Sequence, residues 1–504
     1  MSIHGGRRLV RRLISFDRGS TWTQPTYPGL TARDCLGPSE CIPEAGPIGT
    51  LPGYDDAGLV SDGDPALAFG PRPDADGTFS WSNGSRLYYA NLTSSLPGTA
   101  QFKGIEAIAV SRTDAVRRAA EGGAAGARAR KTPVIVSEQS SATFADKEQI
   151  WADNAASSAF FGNVYVCFAR FNGSGSAPLV VATSRDGGDT WESKKVTPAH
   201  AAAAKHWGQS GCTVRTDSEG VTYVFYQEFQ NPEKVGLPSP GAHFMVKSPD
   251  GGDTWTHPIF VGDVVDPCFL LQFDGTTLRC VHDGVAGARN DLSASPSVDI
   301  ANGAPTGADA TDAILMAWVD GRDGLNHEHV LTRWSTDRGA SWSGPQAVER
   351  PDDRGLYAAP ALSPDGTDAY LIYNAFTTPF RNETTSQRGL VGTVLHTEVG
   401  AGGAPTGWTV VHRGEIGDPR ASSQNNLVME FLGDYVYAAA TNDYATAVWN
   451  DVRDGAPCRA VQAWRARVQE LGLAGAGAPP EPQNECPARF GNTDIFGGSW
   501  ADRG

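Results

Sequence analysis

The sequence is poor in charged residues and in long apolar runs. Only 19% of its 504 residues are Asp, Glu, Lys or Arg, and lysine is scarce, with eight residues in all. No apolar run approaches the roughly 18 residues that a membrane helix needs, so we expect no membrane span. Acidic residues outnumber basic ones by 57 to 41, and the resulting net charge of -16 argues against a nucleic-acid partner.

Metal-binding motifs are also missing. None of the eight cysteines forms a CxxC pair or has a histidine at metal-ligand spacing. We therefore expect neither a zinc site nor any other metal or cofactor. The alternative is Ca²⁺ bound by the Asp-rich loops.

The chain does not begin with a secretory signal, because no apolar core accompanies the basic residues at positions 7–12. The even number of cysteines nevertheless favours disulfides in an oxidising compartment over free buried thiols. We therefore expect an extracytoplasmic protein whose natural start lies upstream of residue 1. Three bridges are expected between cysteines close in sequence: Cys35–Cys41, Cys268–Cys280 and Cys458–Cys486. A fourth, Cys167–Cys212, is expected between neighbouring repeats.

What the sequence has in abundance is turn residues, 59 Gly and 33 Pro, together with a repeated octapeptide. The pattern Ser-x-Asp-x-Gly-x-(Ser/Thr)-Trp begins at Ser15, Ser184, Ser248 and Ser335. Asp side chains that cap backbone N–H groups, a glycine at positive φ and a packing Trp are typical of a tight hairpin. We interpret each octapeptide as such a hairpin.

Six short β-branched and aromatic runs lie among the octapeptides, and each has the composition of a β-strand. Their starts are 77, 57, 93, 55 and 78 residues apart, which suits one four-stranded unit plus variable loops. The runs are residues 87–90, 164–168, 221–226, 314–318, 369–373 and 447–449.

These octapeptides and strand runs resemble the sialidase (neuraminidase) superfamily of Asp-box, or BNR-repeat, β-propellers, and most of all bacterial proteins of the exo-α-sialidase type. The resemblance implies an all-β propeller that covers residues 1–504 as one domain. Six inner strands and an N-terminal half-unit favour seven blades with the first incomplete, and six blades is the alternative. Residues 115–130 are expected to be an insertion, and residues 471–482 a loop spanned by Cys458 and Cys486.

The resemblance also implies a chemistry, in which three Arg clamp a sugar carboxylate, a Tyr paired with a Glu is the nucleophile, and an Asp is the acid/base. Planar guanidinium groups match a carboxylate with two parallel hydrogen bonds. Tyr is neutral at pH 7 and needs a neighbouring carboxylate to become a nucleophile. The family's Arg-Ile-Pro motif is absent from this sequence, which counts against a standard sialidase.

Candidate site residues were chosen at the ends of strands, where side chains from several blades can meet at one mouth of the channel. The catalytic candidates are Asp146, Glu228, Glu430 and Tyr435, and the substrate-binding candidates are Arg170, Arg322, Arg420 and Arg453. For Arg322 and Arg453, which repeat the same Asp-x-Arg context, a structural Arg–Asp pair is the favoured alternative.

The function expected from these residues is a sialidase-like glycoside hydrolase acting on acidic sugars, with a glycan or glycoconjugate as its partner. The alternative is a propeller without catalysis that binds a glycan or a protein through the same channel mouth.

Overall fold

The six short apolar runs all form strands, and each is the second strand of a blade. The computed structural model describes residues 13–31, 44–173, 175–199, 207–400, 403–424 and 426–501. Within these ranges, five sheets of four antiparallel strands and one sheet of three follow one another along the chain. In each sheet the strands lie in chain order, which is the meander of a propeller blade.

The first three blades contain the four-stranded sheets that follow the N-terminal ribbon β1 (Gly29–Thr31) and β2 (Glu44–Gly46). Blade 1 contains β3 (Leu59–Pro73), β4 (Phe79–Ser95), β5 (Ala107–Thr113) and β6 (Lys131–Ile135). Blade 2 contains β7 (Thr143–Ala152), β8 (Val164–Asn172), β9 (Leu179–Ser184) and β10 (Glu192–Lys195). Blade 3 contains β11 (Trp207–Thr216), β12 (Thr222–Gln230), β13 (Pro240–Ser248) and β14 (Ile259–Val265).

The last three blades follow a two-stranded ribbon of β15 (Leu271–Phe273) and β16 (Leu278–Cys280). Blade 4 contains β17 (Ser297–Ile300), β18 (Ile314–Asp320), β19 (His329–Ser335) and β20 (Gln346–Ala347). Blade 5 contains β21 (Arg354–Leu362), β22 (Asp368–Phe376), β23 (Leu390–Glu398) and β24 (Thr409–Arg413). Blade 6 contains β25 (Tyr437–Ala440), β26 (Tyr444–Asp451) and β27 (Asp494–Ala501).

The predicted all-β propeller is therefore confirmed, with six blades, the alternative count, and not the favoured seven. The N-terminal octapeptide does not belong to a seventh blade, because its hairpin, bridged between Ile14 and Thr23, lies against blade 6. Arg18 forms an ion pair with Asp443 at 3.2 Å and lies over the ring of Tyr444. This hairpin thus lies beside blade 6, so its octapeptide is not evidence for a separate blade.

All four octapeptides make the same local hydrogen bonds. In the first, Asp17 accepts from the backbone N–H of Thr21 at 2.8 Å and from its hydroxyl at 2.6 Å. Asp186, Asp250 and Asp337 accept the equivalent pairs of bonds in the other three. These three octapeptides connect the third and fourth strands of blades 2, 3 and 4. The first octapeptide lies between Ile14 and Thr23, which form an isolated antiparallel bridge, so its local hairpin has the same form as the other three.

Three of the four predicted disulfides are confirmed. Cys167–Cys212 joins blades 2 and 3, Cys268–Cys280 closes the segment that carries β15 and β16, and Cys458–Cys486 spans 28 residues of blade 6. Cys35 and Cys41 lie outside the described residues.

Short helices interrupt the β structure. The segment predicted as an insertion at 115–130 contains α1 (Val116–Ala120) and α2 (Gly123–Ala127). The other helices of the described residues are α3 (Pro232–Val235), α4 (Arg459–Leu471), α5 (Pro482–Glu485) and the 3₁₀ turn Pro419–Ala421. No helix within the described ranges has both the length and the apolarity to cross a membrane.

We call the face at which inner strands begin and second strands end the upper face of the ring. Over blades 4 to 6 this face carries a cap built from residues 266–296, 377–389, 414–424, 426–433 and 452–493. The cap has its own apolar core, in which Trp464 and Val468 of α4 pack with Leu427 and Met429. The rest of the apolar core lies between adjacent blades, as where Val166 of blade 2 packs beside Tyr88 of blade 1.

Candidate active site at the upper face

Four of the six inner strands contain a β-bulge close to the upper face. The register shifts between Ser61 and Ala66 in β3, between Asp146 and Gln149 in β7, between Ser210 and Thr213 in β11, and between Gly355 and Tyr357 in β21. A bulge bends its strand and changes the direction of the side chains that it carries. In blades 1 and 2 the bulges carry charged residues of the channel mouth, Asp64, Lys147 and Glu148.

Lys147, in the bulge of blade 2, is the centre of this mouth. Its Nζ atom lies 2.8 Å from Asp434, 3.3 Å from Asp64 and 3.7 Å from Asp146. Its φ of 63° is a conformation that side-chain-bearing residues rarely adopt. Burial would lower the pKa of Lys147, but the surrounding carboxylates raise it well above the usual value, so the ammonium stays charged.

Three carboxyl groups from blades 1 and 2 meet beside Lys147. One oxygen each of Asp64, Asp146 and Glu148 lies within 4.8 Å of the other two. Burial raises the pKa of Asp146 to about 7 despite the opposing effect of Lys147. Burial also raises the pKa of Glu148 well above its usual range. Among the described residues, neither carboxyl oxygen of Glu148 has a hydrogen-bond partner.

Tyr435 completes the group from blade 6. Its hydroxyl donates a hydrogen bond of 2.9 Å to Asp64 Oδ2, across the junction of blades 6 and 1. Burial, with the charges of Asp64 and Glu148, raises the pKa of Tyr435 well above its usual value. Its ring stacks on Tyr437 at 5.9 Å, and the hydroxyl of Tyr437 accepts a bond of 2.7 Å from Gln149. We call Asp64, Asp146, Lys147, Glu148, Asp434 and Tyr435 the channel cluster.

Asp434 is the ionised carboxylate of the cluster. Burial would raise its pKa, but Lys147 and Arg289 outweigh this effect and hold the pKa of Asp434 below its usual value. Arg289 comes from the cap, 3.8 Å from Asp434 and 2.8 Å from Asp291, with its side chain 17% exposed. The cap therefore places a guanidinium group at the edge of the cluster.

The free space at this place is small. A cavity of about 50 Å³ lies between the inner strands, with Lys147, Tyr357, Asp434 and Tyr435 in its wall. Carboxylate oxygens such as those of Asp64, Asp146 and Glu148 are the ligands that Ca²⁺ takes. The ammonium of Lys147 lies within 3.7 Å of two of the three, so it already supplies positive charge there.

Of the predicted site residues, the structure brings two together in the channel cluster, Asp146 and Tyr435. Arg322 and Arg453 each bind the aspartate two positions before them, at 2.7 Å to Asp320 and 2.6 Å to Asp451. In both places a tryptophan indole donates to the same aspartate, at 3.0 and 3.1 Å. The favoured alternative of a repeated structural pair describes this geometry.

The other predicted residues lie elsewhere on the upper face. Arg420 is paired with Asp418 at 2.5 Å. Glu228, near the end of β12, accepts a hydrogen bond of 2.8 Å from Gln209. Arg170 lies near the end of β8, opposite Ala145.

Glu430 belongs to a second buried group, which we call the cap cluster and define as Asp283, Arg388, Glu430 and Arg465. Arg388 donates to Glu430 at 2.7 Å and lies 3.6 Å from Asp283, while Arg465 lies 3.9 Å from Glu430. Burial raises the pKa of Glu430 well above its usual value, and Asp283 adds to the effect.

Sequence reasoning missed Asp64, Lys147, Asp434 and Arg289 as site residues. A signal for two of them was present, because Asp64, Asp146 and Asp434 all stand within the first few residues of an inner strand or directly before it. An aspartate near the start of the inner strand in blades 1, 2 and 6, which are consecutive in the closed ring, indicates a shared site. Arg289 lies in a long connection and carried no such signal.

The fold and the channel cluster define a six-bladed β-propeller with a buried, carboxylate-rich site at the upper mouth of its channel. No protein-family model matches the chain, and no curated protein matches it. Similar solved structures include the Hadza microbial sialidase Hz136, with 12% identity, a TM-score of 0.39, and coverage of 76% of this chain and 62% of that one.

Two further similar structures cover more of the other chain. An α-L-arabinofuranosidase from Fusarium graminearum has 10% identity and a TM-score of 0.40, over 90% of this chain and 95% of that one. The intramolecular trans-sialidase from Ruminococcus gnavus has 12% identity and a TM-score of 0.39, over 72% and 82%. Similarities this distant assign no activity to the present chain.

Proposed function

We propose that the protein is a glycan-active propeller and that the channel cluster is a glycoside hydrolase site. The observation that carries the proposal is the hydrogen bond of 2.9 Å from Tyr435 to Asp64 beside the carboxyl group of Asp146, whose pKa is raised to about 7. Glycoside hydrolysis needs a protonated acid for the leaving group and a nucleophile or base on the other side of the bond. The cluster contains a candidate for each task.

Asp146 is the proposed general acid. Burial keeps a fraction of its carboxyl group protonated near neutral pH, because the pKa is raised to about 7. A carboxyl group with this pKa can give its proton to the leaving glycosidic oxygen and recover one from water in the next step. Its side chain is 20% exposed, so it can reach a substrate at the channel mouth.

Tyr435 is the proposed nucleophile, with Asp64 as its base. The phenolic oxygen attacks the anomeric carbon while its proton passes to Asp64, and the bond to the leaving oxygen breaks as Asp146 protonates that oxygen. Water then attacks the anomeric carbon while Asp146 takes a proton from it. The bond from that carbon to Tyr435 breaks, and the tyrosine oxygen takes its proton back from Asp64. Asp64 thus has the role of base, which the resemblance to sialidases assigned to a glutamate.

We further propose an acidic sugar as substrate and an extracytoplasmic location. Three of the Arg predicted to clamp a carboxylate, Arg322, Arg420 and Arg453, are each bound to an aspartate. Arg289 is also bound to an aspartate, Asp291, at 2.8 Å, but it lies 3.8 Å from Asp434 at the edge of the channel cluster, and for this position it is our candidate partner for a sugar acid. The three disulfides support a compartment in which thiols are oxidised.

The test is a screen of wild-type protein on chromogenic sialosides, uronides, arabinosides and neutral glycosides, followed by variants. Tyr435→Phe and Asp146→Asn should each reduce kcat by at least about a hundredfold on a substrate that needs the acid or the nucleophile. The matched control is Tyr223→Phe. It removes another buried hydroxyl that is bonded to an aspartate at 2.9 Å, but in blade 3, which contributes no residue to the channel cluster. Full turnover in Tyr435→Phe would contradict the assignment.

The second candidate is a propeller that binds a glycan or protein without cleaving it. The observation in its favour is the size of the cavity, about 50 Å³, against the roughly 300–1,000 Å³ of a typical ligand pocket. Lys147 also occupies the space between the carboxylates that would otherwise face a substrate. Cleavage of no glycoside by wild-type protein, together with retained glycan binding, would support this candidate over the hydrolase.

A further inference from the structure

A groove lined by residues quite different from those of the channel cluster lies at the outer rim between blades 2 and 3. It has a volume of about 520 Å³ and is open along one side. One wall is residues 194–198, the end of β10 and the residues after it, and the other is residues 253–258, the end of the third octapeptide and the residues before β14. Its size is within the range of small-molecule and oligosaccharide sites.

The floor of the groove is the indole of Trp255. The indole N–H donates to the carbonyl of Gly252 at 3.2 Å, and the ring packs against the apolar cluster between blades 2 and 3. The side chain is half-buried, so one part of the ring is anchored while the rest faces the groove. A fixed aromatic surface in a polar wall offers an apolar contact for a flat ligand at little cost in conformational entropy.

The charge of the groove is opposite to that of the protein. Lys194, Lys195 and His257 line it, against the single carboxylate of Asp253. Asp253 is already paired with Arg185 at 2.7 Å and with Lys194 at 3.3 Å, and Lys194 also pairs with Glu192 at 3.2 Å. The side chains of Lys195 and His257 are exposed and make no hydrogen bond or ion pair with other described residues.

The free ammonium group of Lys195 attracts an anionic group in preference to a neutral one, on a protein whose net charge is -16. The groove also borders β10, which is the last strand of its sheet and has no strand on its outer side within the described ranges. Its outward N–H and C=O groups are therefore available to hydroxyl groups. An aromatic surface, a free ammonium group, an imidazole and a backbone edge together suit an acidic sugar chain.

We propose that this groove is a second, non-catalytic binding site for an acidic oligosaccharide. A sugar ring lies on Trp255, its carboxylate or sulfate contacts Lys195 and His257, and its hydroxyls bond to the edge of β10. The site lies at the outer rim, along β10 of blade 2 and the residues before β14 of blade 3, whereas the channel cluster lies on the inner strands. It does not depend on the proposed catalysis.

The experiment is calorimetric titration with a tetrasaccharide of galacturonic acid, using maltotetraose as the neutral probe, on wild-type protein and on Tyr435→Phe. We expect the acidic probe to bind both proteins alike, and more weakly at high salt. Lys195→Glu should weaken binding at least about tenfold, and His257→Ala less, because one charge-assisted contact is lost or reversed. Both residues are exposed, so neither substitution threatens the fold.

The matched control is Lys234→Glu, the same charge change on an exposed lysine of α3 at the other end of blade 3. It should leave the affinity unchanged. Equal affinity for the two tetrasaccharides, no binding of the acidic one, or equal weakening by Lys234→Glu and Lys195→Glu would each overturn the proposal. Loss of binding in Tyr435→Phe but not in Lys195→Glu would place the ligand in the channel instead.

Discussion

Two groups of buried charges lie at the upper face, and they differ in balance and in exposure. The cap cluster pairs two arginines with two carboxyl groups, and all four side chains are 0–1% exposed. The channel cluster sets the single ammonium of Lys147 against four carboxyl groups, two of which, Asp64 and Asp146, are 17% and 20% exposed. One group is balanced and closed, and the other is acidic and open.

The difference indicates which group can do chemistry. A balanced and fully buried network holds its charges in one state, and breaking it mainly costs stability. An excess of carboxyl groups with access to solvent takes up and releases protons, and perturbed pKa values of this kind are typical of functional sites. Tyr435 is bonded to the open cluster, whereas Glu430, five residues earlier, belongs to the closed one.

The largest effect is expected from Arg388→Ala in the cap cluster. The variant leaves Glu430 and Asp283 buried without their main counter-charge, and we expect the free energy of unfolding to fall by about 3–5 kcal/mol. Urea denaturation followed by tryptophan fluorescence measures this change.

Lys147→Met in the channel cluster is the matched variant. Asp64 and Asp146 can be protonated or hydrated when the ammonium is lost, so the expected loss is smaller, about 1–3 kcal/mol. If Lys147→Met destabilises the protein as much as Arg388→Ala, the distinction between a closed and an open cluster fails.

The next effect is expected in the pH dependence of stability. Asp146 has a pKa of about 7 in the folded protein against 3.8 as its ordinary value, so the folded state binds this proton more tightly than the unfolded state between pH 4 and 7. Stability from this group is complete below the lower value and is lost as pH rises towards 7, by at most about 1.4 kcal/mol per pH unit. Asp146→Asn should therefore lose less stability than wild type over this range.

Calorimetric melting at several pH values compares the two slopes. Asp434 has the opposite sign, because its lowered pKa contributes stability that is lost on acidification. Parallel curves for Asp146→Asn and wild type would show that Asp146 ionises as freely as an exposed carboxyl group.

The smallest effect is expected from Arg453→Ala, at the edge of the ring. Its pair with Asp451 is local and 17% exposed, so we expect a loss of about 1 kcal/mol in stability and no change in kcat/KM. The equivalent Arg322→Ala, with a side chain that is 34% exposed, should cost no more. A selective rise in KM for acidic substrates in Arg453→Ala would move this residue into the site.

The sequence was sufficient for the hairpins and strands because their interactions are local. Asp17, Asp186, Asp250 and Asp337 each bond to groups within four residues, so an eight-residue pattern contains the whole motif. The Arg322–Asp320 and Arg453–Asp451 pairs are equally local, and their repetition identified them as structural. Motifs whose interactions all lie within a few residues could therefore be predicted from the sequence.

The site could be predicted only in part because its contacts are long-range. Tyr435 and Asp64 are 371 residues apart, and Lys147 and Asp434 are 287 apart. No periodicity within one blade shows which blades are neighbours at the closure of the ring. Asp146 and Tyr435 were found from their places at strand ends, whereas Arg289 depended on the path of the cap.

The meeting of the N-terminal hairpin with blade 6 has a consequence for how the ring is assembled. Arg18 and Asp443 are 425 residues apart, so their contact closes a loop that contains nearly every other strand. Loop closure of this length carries a large entropic cost, and contacts of such separation are formed slowly. During synthesis on the ribosome, the first hairpin therefore waits without its partner until the last blade has emerged. The contact between this hairpin and blade 6 is therefore among the last to form as the ring assembles.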